Sequence, residues 1–248
     1  MDLKILDINL WMLPRPFSAD NKKRFSKFFR LVKRLRPDII TLQEVWLVKD
    51  EKFIRKSLAG YHTLSSGKKK INNSGLVTLS LKKPLSEKLH KFWRETLVDN
   101  VVRKGYLVIS IKFANRLFHI LNTHLHAARK SRPNKVTISQ FEQLKEITLA
   151  GNWIISGDLN MTPEVFARLN QDHFRYKSCR SSTISNSNKY SKMRLNRFDH
   201  SEKRVDYLLL KTDKKNGFSI RTRVIKVPLL SDHYAIFSRI NSGNKSKN

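Results

Sequence analysis

Several residue types are scarce in this sequence, and each shortage excludes a class of protein. Cys179 is the single cysteine among 248 residues, which excludes an internal disulfide and a multi-cysteine zinc site. No apolar run approaches the roughly 20 residues of a membrane-spanning helix. Lys4 and Asp7 interrupt the N-terminus where a signal peptide would carry its apolar stretch. We therefore expect a soluble, unprocessed protein, cytoplasmic by default or exported by a non-classical route.

Acidic residues are also scarce. Asp and Glu number 20 against 50 Lys and Arg, which leaves a formal net charge of +30. A charge of this size attracts polyanions through its long-range potential and through counterion release. The basic clusters at residues 22–36 and 68–70 each have the alternative interpretation of a solvated surface. The imbalance over the whole chain predicts an anionic partner, without choosing between nucleic acid, an anionic membrane surface and an acidic protein.

The remaining composition supports a folded core. Hydrophobic residues make up 40% of the chain and aromatic residues 10%, and the length suits one large domain. Residues 3–10 are rich in strand formers, residues 21–35 repeat apolar side chains at helical spacing, and residues 38–44 form a compact apolar run. Pro37 ends the helical pattern. These patterns predict a strand, an amphipathic basic helix and a second strand.

The rest of the chain predicts many strands and few helices. A helix is predicted over 136–150, and the short connection at 114–116 favours an antiparallel hairpin, so we expect a layered α/β fold with mixed sheets. Residues 1–240 are expected to form one domain, with a long surface loop over 170–203 and a disordered tail over 241–248. Further strands are predicted at residues 75–81, 106–113, 117–123, 153–156, 205–210, 221–227 and 234–240.

Polar side chains stand at the ends of several apolar runs. Carboxylates at strand ends converge on one edge of a sheet, where open α/β folds place their sites. Oxygen ligands suit Mg²⁺ or Mn²⁺, and paired His and Asp suit acid–base chemistry. Each position also has a structural alternative, such as an ion pair of Asp206 with Arg204. The polar strand ends carry Glu44, His124, Asp158 with Asn160, Asp206, and Asp232 with His233.

The order of these motifs resembles the endonuclease/exonuclease/phosphatase superfamily, which has the fold of DNase I. The resemblance runs nearly end to end and implies a DNase I-like layered sandwich of two mixed β-sheets flanked by helices. Within the superfamily the chain is most similar to the neutral sphingomyelinases, through residues 9–14, 42–46, 123–127 and 158–163. The ordered motifs are Asn9, Gln43-Glu44-Val45, Asn122-Thr123-His124-Leu125, Gly157-Asp158-Leu159-Asn160, Val205-Asp206-Tyr207 and Ser231-Asp232-His233.

The resemblance implies a metal site and a catalytic pair for the in-line attack of water on phosphorus. Glu44 would be the principal ligand of Mg²⁺ or Mn²⁺, with Asn9 beside it and Asp232 completing or approaching the metal shell. His233 would be the general base, and Asp206 would hold and polarise it.

The resemblance also implies supporting roles around the phosphate. Asp158 would orient the water or a second metal, and Asn160 and His124 would donate hydrogen bonds to the phosphate oxygens. Asp99 and Lys104 are weaker candidates for an Asp and a Lys that family members often carry ahead of the His motif. His126 receives no catalytic role and is interpreted as a packing residue.

Three functions remain open from the sequence, for a protein taken as a monomer by default. The motif variants slightly favour a sphingomyelinase-like phospholipid phosphodiesterase, and the charge favours a metal-dependent nuclease acting on DNA or RNA. A binding module without catalysis is the third, and the complete motif set argues against it. The chain shows neither the exposed aromatic hairpin of secreted bacterial sphingomyelinases nor the hydrophobic spans of membrane-anchored animal forms. A lipid-cleaving enzyme of this sequence would therefore meet its membrane through basic residues.

Overall fold

The computed structural model of the protein describes residues 2–14, 16–65, 74–93, 104–127, 134–175, 181–193, 202–213 and 217–243. Within these ranges no helix has the length and apolar character needed to cross a membrane. The strands are β1 (Asp2–Met12), β2 (Ile39–Val45), β3 (His62–Ser65), β4 (Val77–Ser80), β5 (Ser86–Lys91), β6 (Gly105–Phe113), β7 (Arg116–His124), β8 (Asn152–Asp158), β9 (Asp206–Lys211), β10 (Phe218–Ile225) and β11 (Ala235–Ser242). The helices are α1 (Asn21–Leu35), α2 (Val48–Ser57), α3 (Lys135–Ile147), α4 (Pro163–Asn170) and α5 (Lys189–Lys192).

The described strands form two mixed sheets. The six-stranded sheet has the order β10-β11-β1-β2-β4-β3, and only β1 and β2 run parallel in it. The five-stranded sheet has the order β5-β6-β7-β8-β9, and only β7 and β8 run parallel. β6 and β7 form the predicted antiparallel hairpin, closed by the pair Phe113 and Arg116. The expected class, α/β with mixed sheets, is confirmed.

Apolar side chains fill the space between the sheets and cover both outer faces. Residues such as Ile5 and Ile240 of the first sheet pack against Ile120 and Ile154 of the second. On the outer face of the first sheet lie α1 and α2, and on that of the second lie α3 and α4. Strands buried on both faces carry near-continuous apolar runs, which is why they were recognisable in the sequence.

Local signals explain where the helices begin and end. Arg36 takes a left-handed conformation at the end of α1, and Pro37 follows it. The Asn134 side chain accepts a hydrogen bond from the Thr137 amide and caps α3. Pro163 occupies the first turn of α4, where its missing N–H costs nothing.

Some elements escape sequence interpretation for identifiable reasons. The β5 strand is an exposed edge strand whose sequence, Ser-Glu-Lys-Leu-His-Lys, shows no buried face. Charged side chains on an edge strand oppose pairing with other chains, and they also remove the apolar signal. The β3 strand has four residues, and α2 buries only Glu51 and Ile54, so neither produces a strong periodic pattern.

Two predicted boundaries are wrong. The expected tail over 241–248 begins inside β11, because Asn241 pairs with Asp2 and Ser219 through the backbone, which needs no apolar side chain. The expected surface loop over 170–203 is also a poor description of residues 181–193. This segment contains α5, and the side chains of Thr183, Asn188 and Ser191 form hydrogen bonds with backbone groups of other segments. Thr183, Ser185, Asn188 and Tyr190 are all buried.

Other sequence-based expectations fall outside the described residues. They concern Cys179, Asp99 and the basic run at residues 68–70. Residues 244–248 also fall outside, so the structure tests only the beginning of the expected tail. That residues 1–240 form one catalytic domain stays a prediction.

Gly157 of β8 generates a stability prediction. Its φ is 143°, and a Cβ at this position would overlap the carbonyl oxygen of Thr123 on β7. We expect Gly157→Ala to lower the free energy of unfolding by about 2–4 kcal/mol, measured by chemical denaturation. Gly60→Ala is the control, because nothing lies within 4 Å of its added Cβ. Equal stability of the two variants would contradict the tight contact at Gly157.

Candidate active site

The polar strand ends converge at one edge of the two sheets. β1 and β2 are parallel and bring Asn9 and Gln43 into register. β7 and β8 are parallel and pair His124 with Asp158, while the antiparallel β9 starts at the same edge and pairs Asp206 with Asp158. Five neighbouring chain segments therefore end or begin where the predicted catalytic residues stand.

A buried histidine–aspartate pair occupies this edge. His233 Nδ1 lies 2.8 Å from Asp206 Oδ2 and 3.1 Å from Oδ1, and both side chains are about 1% exposed. His233 Nε2 is buried, lies 3.8 Å from Asp158 Oδ2, and has no hydrogen-bond partner among the described residues. The Asp206 contact thus orients the imidazole and leaves Nε2 directed into the site.

The electrostatics of the site favour positive charge. Burial by itself would lower the pKa of His233, but the carboxylates of Asp206, Asp232 and Asp158 outweigh it and raise the pKa to about 10. Burial, with a contribution from Asp206, raises the pKa of Asp158 to about 6, although His233 opposes the shift. Carboxylates this deeply buried need a compensating cation, either an imidazolium or a metal ion.

Asn9 connects Glu44 to Asp158 across the two sheets. Its Nδ2 donates to Glu44 Oε1 at 2.9 Å and to Asp158 Oδ2 at 3.2 Å. Its Oδ1 accepts the Trp11 backbone N–H at 3.1 Å. The pairing of β1 with β2 is irregular between Asn9 and Met12, and Trp11 and Glu44 have φ of 48° and 56°. Left-handed backbone at non-glycine residues concentrates at functional sites, where it directs side chains.

The predicted phosphate-binding residues flank Asp158. His124 Nε2 lies 3.6 Å from Asp158 Oδ2, and the backbone N–H of Asn160 donates to Asp158 Oδ1 at 2.9 Å. Asn160 Nδ2 donates to the Leu125 carbonyl at 3.0 Å, and the buried Lys104 Nζ donates to the same oxygen at 2.6 Å. Lys104 therefore adjoins this cluster through Leu125, and the Asn160 side chain is directed towards backbone.

The donor set suits a hard divalent cation. Asp158, Asp206 and His233 each offer a ligand atom, and these atoms lie within 4.8 Å of one another, so this buried group can hold a metal ion. It differs from the predicted set of Glu44, Asn9 and Asp232. In the described structure Glu44 joins the group through Asn9, and Asp232 contributes its charge beside His233.

The Asp232–His233 segment is held in place by several residues that the sequence did not indicate. Asn188 Nδ2 donates to the carbonyls of Ser231 and Asp232 at 2.8 and 3.2 Å, and Ser191 Oγ donates to the Asp232 carbonyl at 2.8 Å. The Tyr234 amide donates to the Thr183 carbonyl at 2.7 Å. These donors and acceptors lie in a Ser- and Asn-rich stretch without periodicity, so no local signal marks them.

Arg24 is a second missed residue, buried within a basic helix. Its guanidinium donates to the carbonyls of Leu10 and Trp11, within the irregular stretch of β1 between Asn9 and Met12, and to the Leu230 carbonyl ahead of Asp232. It therefore connects α1 to both sides of the site. A signal was present, because Arg24 precedes Phe28 by four residues and so lies on the buried face of α1.

A hydrogen-bonded polar network supports the site from below. Asp7 is fully buried, and its Oδ1 accepts hydrogen bonds from Thr41 Oγ1 at 2.7 Å, Gln43 Nε2 at 2.9 Å and Ser156 Oγ at 2.9 Å. Gln43 Nε2 also donates to Asn122 Oδ1 at 2.9 Å. Burial, reinforced by Asp206, raises the pKa of Asp7 to about 7. Protonation supplies a donor at Asp7 Oδ2, which has no partner among the described residues.

The chain was compared with sequence models of protein families, and one family matches the part of the chain that carries these motifs. Residues 8–233 match the sequence model described as the Endonuclease/Exonuclease/phosphatase family, and this range spans every polar strand end of the site. The chain belongs to this family. The resemblance expected from the ordered motifs is confirmed, as is the DNase I-like sandwich.

Two relatives of this chain carry names that refer to sphingolipids. A Drosophila melanogaster protein named as a neutral sphingomyelinase is 29% identical over 183 residues, covering 66% of this chain and 40% of that protein. The inositol phosphosphingolipids phospholipase C of Schizosaccharomyces pombe is 26% identical over 181 residues, covering 65% of this chain and 42% of that protein. The matches thus span about two fifths of these relatives.

Solved structures of family-like proteins share the fold at low sequence identity. Sphingomyelinase C from Streptomyces griseocarneus has a TM-score of 0.78 at 15% identity, covering 96% of this chain and 99% of that one. D. rerio TDP2, complexed with a single-strand DNA product, has a TM-score of 0.79 at 16% identity, covering 97% and 99%. At these identities the likeness shows the fold and leaves the substrate open.

The raised pKa of Asp7 predicts a pH-dependent stability. The folded protein keeps this proton up to about pH 7, whereas the unfolded chain releases it near the ordinary aspartate pKa of 3.8, so the carboxyl lowers stability as pH rises through this window. Asp7→Asn should therefore raise the free energy of unfolding at pH 8 by on the order of 1–3 kcal/mol relative to the wild type, with a smaller difference at pH 5. Urea denaturation in EDTA measures it.

The exposed Asp2→Asn variant controls for the loss of one negative charge. A difference between Asp7→Asn and the wild type that does not change between pH 5 and pH 8 would contradict a neutral Asp7 in the fold.

Arg24 generates a prediction about the frame of the site. Arg24→Met leaves the carbonyls of Leu10, Trp11 and Leu230 without their buried donor, so the free energy of unfolding should fall by about 3 kcal/mol or more. Lys23→Met is the matched control, because Lys23 is exposed on the same helix and should change little. Guanidinium chloride denaturation compares the two, and equal losses would show that Arg24 is not structural.

Proposed function

We propose that the protein is a divalent-metal-dependent phosphodiester hydrolase that acts on a sphingomyelin-type phospholipid. The observation that carries the proposal is the buried His233–Asp206 pair, whose free Nε2 faces Asp158 and the Asn9–Glu44 contact. Phosphodiester hydrolysis needs a base, a metal site and donors for the phosphoryl oxygens, and this edge of the sheets collects residues for each.

His233 acts as the general base in this mechanism when a bound divalent cation compensates the neighbouring carboxylates, because the cation would lower the pKa that those carboxylates raise. Its Nε2 accepts a proton from the water that attacks phosphorus, and Asp206 holds Nδ1 and stabilises the imidazolium that forms. The proton can then pass to the leaving oxygen. Because Asp206 is itself buried, it fixes the ring orientation that the transfer requires.

Glu44, Asn9 and Asp232 would hold the metal, and Asp158, which lies close to Asp206 and His233, would orient the water or a second metal. A bound Mg²⁺, or Mn²⁺, supplies Lewis-acid stabilisation of the charge that develops on the phosphoryl oxygens. His124 would donate a hydrogen bond to those oxygens, as would the second N–H of Asn160 Nδ2, whose first N–H donates to the Leu125 carbonyl, and Lys104 would add positive charge behind them. Asp99 stays a weaker candidate for the Asp that family members often carry ahead of the His motif.

The substrate assignment rests on the relatives and on the motif variants near the chemistry. Both named relatives act, by their names, on sphingolipids, and the sequence Asn9-Leu10-Trp11-Met12-Leu13-Pro14 at the end of β1 resembles that of neutral sphingomyelinases. The main alternative is a Mg²⁺-dependent nuclease. The net charge of +30 favours it, since a basic surface binds nucleic acid through its phosphates.

Hydrolysis of three phosphodiesters offered in parallel tests the proposal. Purified protein with Mg²⁺ is expected to cleave sphingomyelin in vesicles and to leave plasmid DNA and RNA intact. EDTA should abolish turnover, and added Mg²⁺ should restore it. His233→Ala should lose roughly 100-fold or more in rate, because a positioned base contributes that much. His62→Ala, which removes an exposed histidine, is the matched control.

Each other outcome has a defined meaning. Cleavage of nucleic acid alone, lost in His233→Ala, would replace the lipid by the nuclease alternative. Wild-type rates in His233→Ala would refute the mechanism on every substrate.

A further inference from the structure

A groove of about 1030 Å³ opens beside α1 and α2. Its walls include Leu13, Pro14, Phe25, Leu47 and Phe53, and most of the surface area exposed inside the groove is apolar. Phe53 is 49% exposed, although its ring contacts Phe25 at a centroid distance of 5.3 Å. An exposed apolar concavity of this kind marks a site for an apolar ligand or partner.

The groove adjoins the candidate active site through the chain. Leu13 follows Asn9 by four residues at the end of β1, and Leu47 follows Glu44 by three residues at the end of β2. The groove therefore begins within four residues of the strand positions that carry the proposed metal ligands.

Positive charge surrounds the apolar walls. Lys22, Lys23 and Lys49 line the groove and are exposed. Three lysines outnumber the two acids in the lining, and one of these acids, Asp20, contacts Lys189 at 3.4 Å. The groove thus combines an apolar floor with an ammonium rim.

We propose that this groove binds an acyl chain of an anionic phospholipid at a bilayer surface, with the lysine rim contacting the headgroup phosphate. The apolar floor accepts the chain, and the lysines match the negative surface of an anionic leaflet. The inference rests on the proposed function, since binding here would bring the active-site edge to a lipid interface. Nucleic acid fits less well, because the Phe53 ring already contacts Phe25 and Phe29 and is not free to stack on a base.

Vesicle co-sedimentation of the His233→Ala protein tests the charged rim without turnover. Vesicles contain phosphatidylcholine with or without phosphatidylserine, and binding is expected only when the anionic lipid is present. The triple variant Lys22→Glu, Lys23→Glu, Lys49→Glu should bind the anionic vesicles at least about tenfold more weakly. The matched control reverses three exposed lysines at the opposite edge of the sheets, Lys82, Lys83 and Lys112, with the same charge change.

Insertion of the acyl chain is tested by fluorescence. Phe53→Trp places a reporter in the groove, and a phospholipid with a brominated acyl chain, mixed into the anionic vesicles, should quench it. Leu85→Trp is the control, because Leu85 is 68% exposed and lies beside the edge strand of the other sheet. Quenching in Phe53→Trp should exceed that in Leu85→Trp.

The outcomes separate this inference from the proposed substrate. Equal binding by the two triple variants, or equal quenching of the two tryptophan variants, would overturn the groove as a lipid site. Loss of single-stranded DNA binding in the groove triple variant, without any vesicle binding, would assign the rim to nucleic acid and also overturn it. Lipid binding that depends on the groove in a protein that does not cleave sphingomyelin would support the groove and refute only the substrate.

Discussion

Three carboxyl groups, those of Asp7, Asp158 and Asp206, are buried between the sheets with at most 1% of each residue exposed. Removing a carboxylate from water is costly unless a cation or hydrogen-bond donors compensate it. The surrounding structure supplies that compensation. Thr41, Gln43 and Ser156 donate to Asp7, and Asn9 and the Asn160 amide donate to Asp158. His233 Nδ1 forms a hydrogen bond with Asp206. Because these partners come from both sheets, the requirement to compensate buried charge also fixes how the sheets meet at the site.

The backbone around the site is held by equally specific polar contacts. Arg24 bonds to carbonyls on both sides of the site, and Asn188 bonds to the carbonyls of Ser231 and Asp232. Each contact satisfies a buried acceptor that would otherwise destabilise the fold. The lysines of α1 differ from Arg24 in their burial. Arg24 lies in the interior, while Lys22 and Lys23 are exposed at the rim of the groove.

Sequence interpretation succeeded where burial produces a continuous apolar run or an apolar face at helical spacing. Strands β1, β2, β6, β7 and β9 are almost wholly buried, and α1 has a clear apolar face, so their patterns predicted them with small boundary errors. It failed for the edge strand β5, whose side chains are all exposed, and for residues 181–193, whose buried side chains are polar. A polar side chain can be buried when a backbone group in the interior forms a hydrogen bond with it. Whether such a group is present depends on segments that are distant in the chain.

The sequence by itself determined the charge, the order of polar residues at the ends of apolar strands, and through them the family. These properties are local or additive, so reading along the chain recovers them. Tertiary structure decided which of those residues meet. The contact of Asn9 with Asp158 joins residues 149 positions apart, and Asn188 reaches Ser231 across 43. Such contacts depend on sheet order, strand register and the direction of each side chain, and no spacing within a single segment encodes them.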